Sequence, residues 1–217
     1  VEVARDQVAA LMPEGGRLYF TSGATEALNW ALFCASREKN GGVAGLAIEH
    51  AATLQCLEKL QAAILPVDKA GVALPVDDAL IPENGVVAMM LVNNEVGTIQ
   101  PVQDFADAAH AKGSVMLCDA VQGYGRVAIP DGADMVAISA HKIHGPKGIG
   151  ALWVRDGVEV PAMMLGGAQE QGMRSGTVSP MLCAGFGAAA ALAAENFDAD
   201  AAHVARLWEL AREMLPD

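Results

Sequence analysis

Six short apolar runs punctuate this chain, and nearly every one gives way to a polar cluster or a helical pattern. The runs are residues 17–21 (RLYFT), 43–48 (VAGLAI), 86–92 (VVAMMLV), 114–118 (SVMLC), 135–138 (MVAI) and 151–154 (ALWV). Between them, residues 24–36, 51–61 and 102–112 carry apolar side chains at three- and four-residue spacing, the period of a helix with one buried face. Strands alternating with helices predict an α/β fold of three layers, a parallel or mostly parallel sheet with helices on both faces. After Gly166 the pattern changes. A glycine-rich loop (LGGAQEQGMRSGT) leads to an alanine-rich helix over 181–195, and NFDAD then reads as a stop and a new cap before a second helix over 201–214.

Composition narrows the partners. Across 217 residues, 14 Lys and Arg face 26 Asp and Glu for a formal charge of −12, which disfavours nucleic acid or an anionic membrane as the main partner. The longest apolar stretch, residues 181–194, is too short and too rich in Ala and Gly to span a bilayer. No basic segment followed by an apolar core marks a secretory signal. Cys34, Cys56, Cys118 and Cys183 form no CxxC pair, so free thiols and a cytoplasmic, reducing location are expected. The chain opens on Val1 and stops within a helical pattern, and is expected to be a fragment.

In open α/β sheets, ligands sit beyond the carboxyl ends of the strands. Five polar clusters follow strands here: SGATE at 22–26, Glu49-His50, NNE at 93–95, DAVQ at 119–122 and SAHK at 139–142. The turn at 21–25 either offers unpaired helix amides to an anion, with the Thr25 hydroxyl as a further donor, or is an ordinary cap. Lys142 is either a crevice lysine available for Schiff-base chemistry or a solvated loop lysine. Asp119 can hold a pyridinium nitrogen protonated or cap a helix. His50 can stack on a flat ring or serve as a capping or core histidine. His141 and His144 lack companions at zinc-ligand spacing, so no metal is expected.

Taken together, TSGATEALNWAL, the EH pair, LVNNEVGTIQPV, CDAVQG, SAHKIHGPKGIGALW and GGAQEQGMRSGT resemble the class V aminotransferase family of pyridoxal-phosphate enzymes, most closely the cysteine desulfurases. They occur in the family's order along nearly the whole chain. The resemblance implies the large domain of a fold type I pyridoxal-phosphate-dependent transferase, over residues 1–200, with 201–217 starting a helix toward a C-terminal small domain. It implies that Lys142 carries the cofactor covalently, that Asp119 partners the pyridine nitrogen, and that Gln122 donates to the ring oxygen. His50 would stack on the ring and take part in proton transfer. Ala24, Thr25, Ser139 and His141 would hold the phosphate, and Asn94 would lie near the ring. Thr177 would reach the phosphate of a neighbouring subunit, which implies a homodimer.

The chain departs from the family pattern in its loops. Ala168 stands where a third glycine is usual, Gln171 where Arg is frequent, and Ser179-Pro180 where Asn is common. None of the four cysteines lies in the context of the family's nucleophile, and strand alternation points Cys118 away from Asp119. The implied activity of the whole enzyme is conversion of L-cysteine to L-alanine, with sulfur passed as a persulfide to an acceptor such as iron–sulfur assembly machinery. Another class V aminotransferase, a selenocysteine lyase, or a cofactor-binding or dimerisation module without catalysis are the alternatives.

Overall fold

The computed structural model describes residues 1–39 and 41–215. Among these, seven strands form one sheet: β1 (Gly16–Thr21), β2 (Val43–Leu46), β3 (Ala63–Leu65), β4 (Val86–Met90), β5 (Val115–Asp119), β6 (Met135–Ser139) and β7 (Gly150–Arg155). Their spatial order is β1-β7-β6-β5-β4-β2-β3. All neighbours from β6 to β3 are parallel, and only β7 runs antiparallel to both its partners, β6 and β1. β1 therefore points the same way as β6, and its carboxyl end reaches the same rim as the parallel strands.

Side-chain alternation divides the core. Val87 and Met89 of β4, with Met116 and Cys118 of β5, face one apolar layer that includes Phe105 and Phe186. Val86, Ala88, Val115 and Leu117 face the other, with Leu28, Leu32 and Leu57. The first layer is supplied by α1 (Glu2–Ala9), α5 (Val102–Ala111) and α6 (Pro180–Glu195), the second by α2 (Ala24–Trp30) and α4 (Ala51–Lys59). The α/β architecture expected from the sequence is thus the observed one, with its sheet covered on both faces as a mostly parallel sheet requires.

Details differ from the expectation, each for a local reason. The runs at 43–48 and 86–92 leave the ladder at Leu46 and Met90, because Ile48 and Leu91 stay in the core without pairing as strand residues. The helix expected over 24–36 passes through a π-helical stretch, Ala31–Ala35, before α3 (Ser36–Lys39). The last helix, α7 (Phe197–Met214), starts four residues before the expected Ala201. Asn196 alone interrupts the chain, and Asp200 N already donates to Asn196 O at 2.8 Å, so the acidic NFDAD stretch forms the first turn. Pro216 and Asp217 lie outside the described residues. β3 and α1 escape the periodicity altogether: the first has three residues with Ile64 exposed, and the second buries only Ala4 and Val8.

Candidate active site

A cavity of about 450 Å³ opens at the carboxyl rim, and all five polar clusters contribute to its wall. The register explains why. Thr21 of β1 and Ser139 of β6 both pair with Gly150 on the strand between them, so the turn after β1 and the SAHK segment lie side by side. Gly150 must lack a side chain: a Cβ there would stand 2.5 Å from Ile138 O and 2.7 Å from the Gly23 carbonyl carbon.

The turn after β1 carries no side-chain cap on α2. Thr21 Oγ1 donates to Gly23 O at 2.9 Å, and Ser22 N donates to Glu26 Oε2 at 2.9 Å. The next amides, from Ala24 and Thr25, start the helix on the cavity wall, where an anion would complete them. Across the cleft, Ser139 Oγ and His141 Nδ1 are 2.8 Å apart. Burial, then the ammonium groups of Lys142 and Lys147, push the His141 imidazole below its usual range. Lys142 sits in a tight 3₁₀ turn, Ala140–Ile143, that ends at His144 in the left-handed conformation and is anchored by Ala140 N donating to Ile149 O at 3.2 Å.

His50 is both a cap and a wall residue. Its Nδ1 accepts the Ala52 N–H at 3.1 Å, closing the start of α4 and leaving Nε2 as the protonated nitrogen. Asn93 and Asn94 divide two tasks. Asn93 is buried and shapes the loop, with Oδ1 accepting from Glu95 N at 2.8 Å and Val96 N at 2.9 Å, while Asn94 lines the cavity.

Asp119 ends β5 with its carboxylate at the cavity floor and Oδ1 accepting the Val121 N–H at 3.0 Å. Burial pushes it up to about 6, against that hydrogen bond and the nearby His50. It has no ion pair among the described residues. A buried carboxylate that faces an open cavity with no cation paired to it is chemically incomplete, and a cationic ring nitrogen would complete it. Gln122 lines the same wall three residues later.

The cavity therefore brings together Ala24, Thr25, His50, Asn94, Asp119, Gln122, Ser139, His141 and Lys142. It does not include Thr177, which is exposed on the 163–178 loop. Two residues went unassigned in the sequence. Lys147, in the GPKGIG segment, lines the cavity. Glu49, beside His50, is buried with Oε1 accepting the Met90 N–H at 2.6 Å and Oε2 without a partner. Burial, then the Asp119 charge, raise its carboxyl well above the usual range. None of the four cysteines lines the cavity. Cys118 lies on the opposite face of β5 from Asp119, in the other apolar layer, and burial pushes its thiol well up.

These residues fit pyridoxal phosphate: an amine, a buried acceptor for a ring nitrogen, an imidazole beside the ring space and uncapped helix amides for a phosphate, in a volume suited to a small cofactor.

The family model for aminotransferase class-V matches residues 1–217. The cysteine desulfurase IscS of Clostridium botulinum (strain Kyoto / Type A2) is 39% identical over 210 residues, which cover 90% of this chain and 53% of that protein. The mitochondrial cysteine desulfurase of Saccharomyces cerevisiae is 38% identical over 225 residues, 95% of this chain and 45% of that protein. Among solved structures, a NifS-like protein superposes with a TM-score of 0.84 at 34% identity, covering 96% of this chain and 61% of that one. The structure of SspA in complex with cysteine superposes at 0.76 with 32% identity, over 87% of this chain and 59% of that one. The chain spans about half the length of the curated relatives it matches.

Proposed function

The chain belongs to the aminotransferase class-V family, whose members depend on pyridoxal phosphate, and from this premise we propose that it forms the cofactor site of a cysteine desulfurase. One observation carries the reading. Lys142, Asp119, His50 and the uncapped start of α2 come from four different strand ends and meet in a single cavity.

When bound, pyridoxal phosphate supplies a conjugated ring that accepts the electron pair left at a substrate's α-carbon. Lys142 Nζ would hold the cofactor covalently, and its amine would move the substrate's α-proton. Asp119, ionised, holds the ring nitrogen protonated. Its placement in a low-dielectric floor strengthens that pair. His50 orients the ring, with its own orientation set by the Ala52 N–H. Gln122 donates to the ring oxygen, and Asn94 flanks the ring. The amides of Ala24 and Thr25, with Ser139 and His141, hold the phosphate. Thr177 completes the phosphate site of a second copy in a homodimer. None of the four cysteines lines the cavity, so none of them is placed to take sulfur from the substrate. The persulfide then goes to an acceptor protein, in a reducing, cytoplasmic setting where these cysteines stay as thiols.

The test is direct. Adding pyridoxal phosphate to the full-length protein gives a visible absorption band, which Lys142→Ala abolishes. L-cysteine with a reductant then yields sulfide and alanine. A band that survives Lys142→Ala refutes the attachment point, and keto-acid formation in place of sulfide refutes the desulfurase reading in favour of an aminotransferase.

A further inference from the structure

Glu26 lies in the first turn of the helix whose first amides face the cavity. Its Oε2 accepts the Ser22 N–H at 2.9 Å and so closes the 22–25 turn from behind. Neither Glu26 nor its own partner lines the cavity. That partner is Arg174, which arrives from a loop 148 residues later and grips both carboxylate oxygens, Nε to Oε1 at 2.7 Å and a terminal nitrogen to Oε2 at 3.2 Å. The two side chains are 16% and 12% exposed, Arg174 and Glu26 respectively, so the pair is shielded from solvent on most sides. Burial alone would raise the Glu26 carboxyl, but Arg174 and the Ser22 N–H outweigh it and hold the group below the usual carboxylate range.

A carboxylate is an odd choice here. It braces the turn well because it accepts strongly, yet its charge opposes any anion bound at the neighbouring amides. A paired guanidinium removes that penalty and leaves the bracing hydrogen bond in place. We propose that Glu26 and Arg174 act together as a charge-neutral brace for the anion-binding turn, Glu26 positioning the amides and Arg174 cancelling the Glu26 charge without touching the ligand. The inference rests on the cofactor reading above and adds to it two positioning residues outside the cavity.

The pair makes a non-additive prediction, read by binding to the ligand-free, full-length protein. Pyridoxal phosphate and pyridoxal, which lacks the phosphate, are titrated against wild type, Arg174→Gln, Glu26→Gln, the double variant and Arg174→Lys. Arg174→Gln, which strands the Glu26 charge, weakens pyridoxal phosphate on the order of tenfold, as a partly screened like charge would. Pyridoxal affinity changes less than about twofold, because no phosphate is present to feel the charge. The double variant recovers most of the loss, since an amide at 26 still accepts from Ser22 N but carries no charge. Arg174→Lys keeps a cation but not the two-nitrogen grip, so its loss falls between wild type and Arg174→Gln, and it gives the charge readout even if Arg174→Gln folds poorly.

Equal losses for both compounds would overturn the brace, as would a double variant no better than Arg174→Gln, or Arg174→Lys as weak as Arg174→Gln. Wild-type protein that binds neither compound overturns the cofactor reading itself, and the brace with it. Wild-type protein that binds both equally tightly overturns the phosphate assignment and the brace with it, and leaves the rest of the cofactor reading standing.

Discussion

Asp119→Asn separates what the cavity floor costs the fold from what it does for the ligand. Burial moves the Asp119 carboxyl from an ordinary 3.8 to about 6. Between those two values the folded protein holds a proton that the unfolded chain has already released. Stability therefore falls as pH rises through that window and stays lowered above it. Two decades and a little, at about 1.4 kcal/mol per decade, make the cost of ionised Asp119 roughly 3 kcal/mol in the ligand-free protein. Asparagine keeps an acceptor for the Val121 N–H and never ionises. It also removes one of the two causes that raise Glu49. Urea unfolding of the ligand-free protein, followed at pH 4 and at pH 8, reads the difference. The variant should match wild type near pH 4 and exceed it at pH 8 by up to about 3 kcal/mol. With pyridoxal phosphate present at pH 8 the gap should shrink or reverse, because only ionised Asp119 gains a charge-assisted partner. A stability difference of the same size at both pH values would refute the reasoning, as would a variant less stable than wild type at pH 8 without ligand.

Other substitutions probe the frame around the site. Gly150→Ala forces a methyl against Ile138 O and the Gly23 backbone; it should cost about 1–3 kcal/mol in thermal or urea unfolding and weaken pyridoxal phosphate more than pyridoxal. Glu170, 2% exposed at its side chain, pairs with Arg5 at 2.7 Å and accepts the Phe20 N–H at 2.7 Å. Glu170→Ala leaves the Phe20 N–H without that acceptor and Arg5 with only Leu18 O and the exposed Glu2, and should destabilise the fold by about 2–4 kcal/mol in urea titration. Glu49→Gln retains an acceptor for Met90 N and cannot ionise; because burial and then the Asp119 charge raise the Glu49 carboxyl well above its usual range, the variant should gain stability relative to wild type as pH rises, read by urea unfolding at pH 5 and pH 8. A variant that loses ground to wild type as pH rises would refute that direction.

Much of the rim was readable before any coordinates, because β-strands in a two-sided sheet must be apolar along their length and become polar where they leave it. LYFT followed by SGATE, or VMLC followed by DAVQ, marks a strand end as plainly as hydropathy can. The same rule overran at Ile48 and Leu91, which stay apolar after pairing stops because the core continues past the ladder. It passed over β3, whose three residues at the sheet edge are too few for a period. His50 could be assigned to a ring or to a cap from sequence, and does cap α4 while its ring lines the cavity, since an N-cap at a strand end on this rim projects both ways.

Sequence alone therefore determined the class of fold, the order of its strands and helices along the chain, the polar clusters at the strand ends and the family they resemble. Those properties are local, set by periodicities of two and 3.6 residues and by short contiguous motifs. Only the tertiary structure decided that β7 turns antiparallel between β1 and β6, that Gly150 lets the anion-binding turn nest beside Ser139, and that Arg174 reaches back to Glu26. Each depends on contacts between residues tens to more than a hundred positions apart, and no local pattern encodes which distant partner will neutralise a given charge. Nor could length and composition show that a chain with a charge of −12 gathers Lys142, Lys147 and unpaired amides at the one rim where an anion would sit.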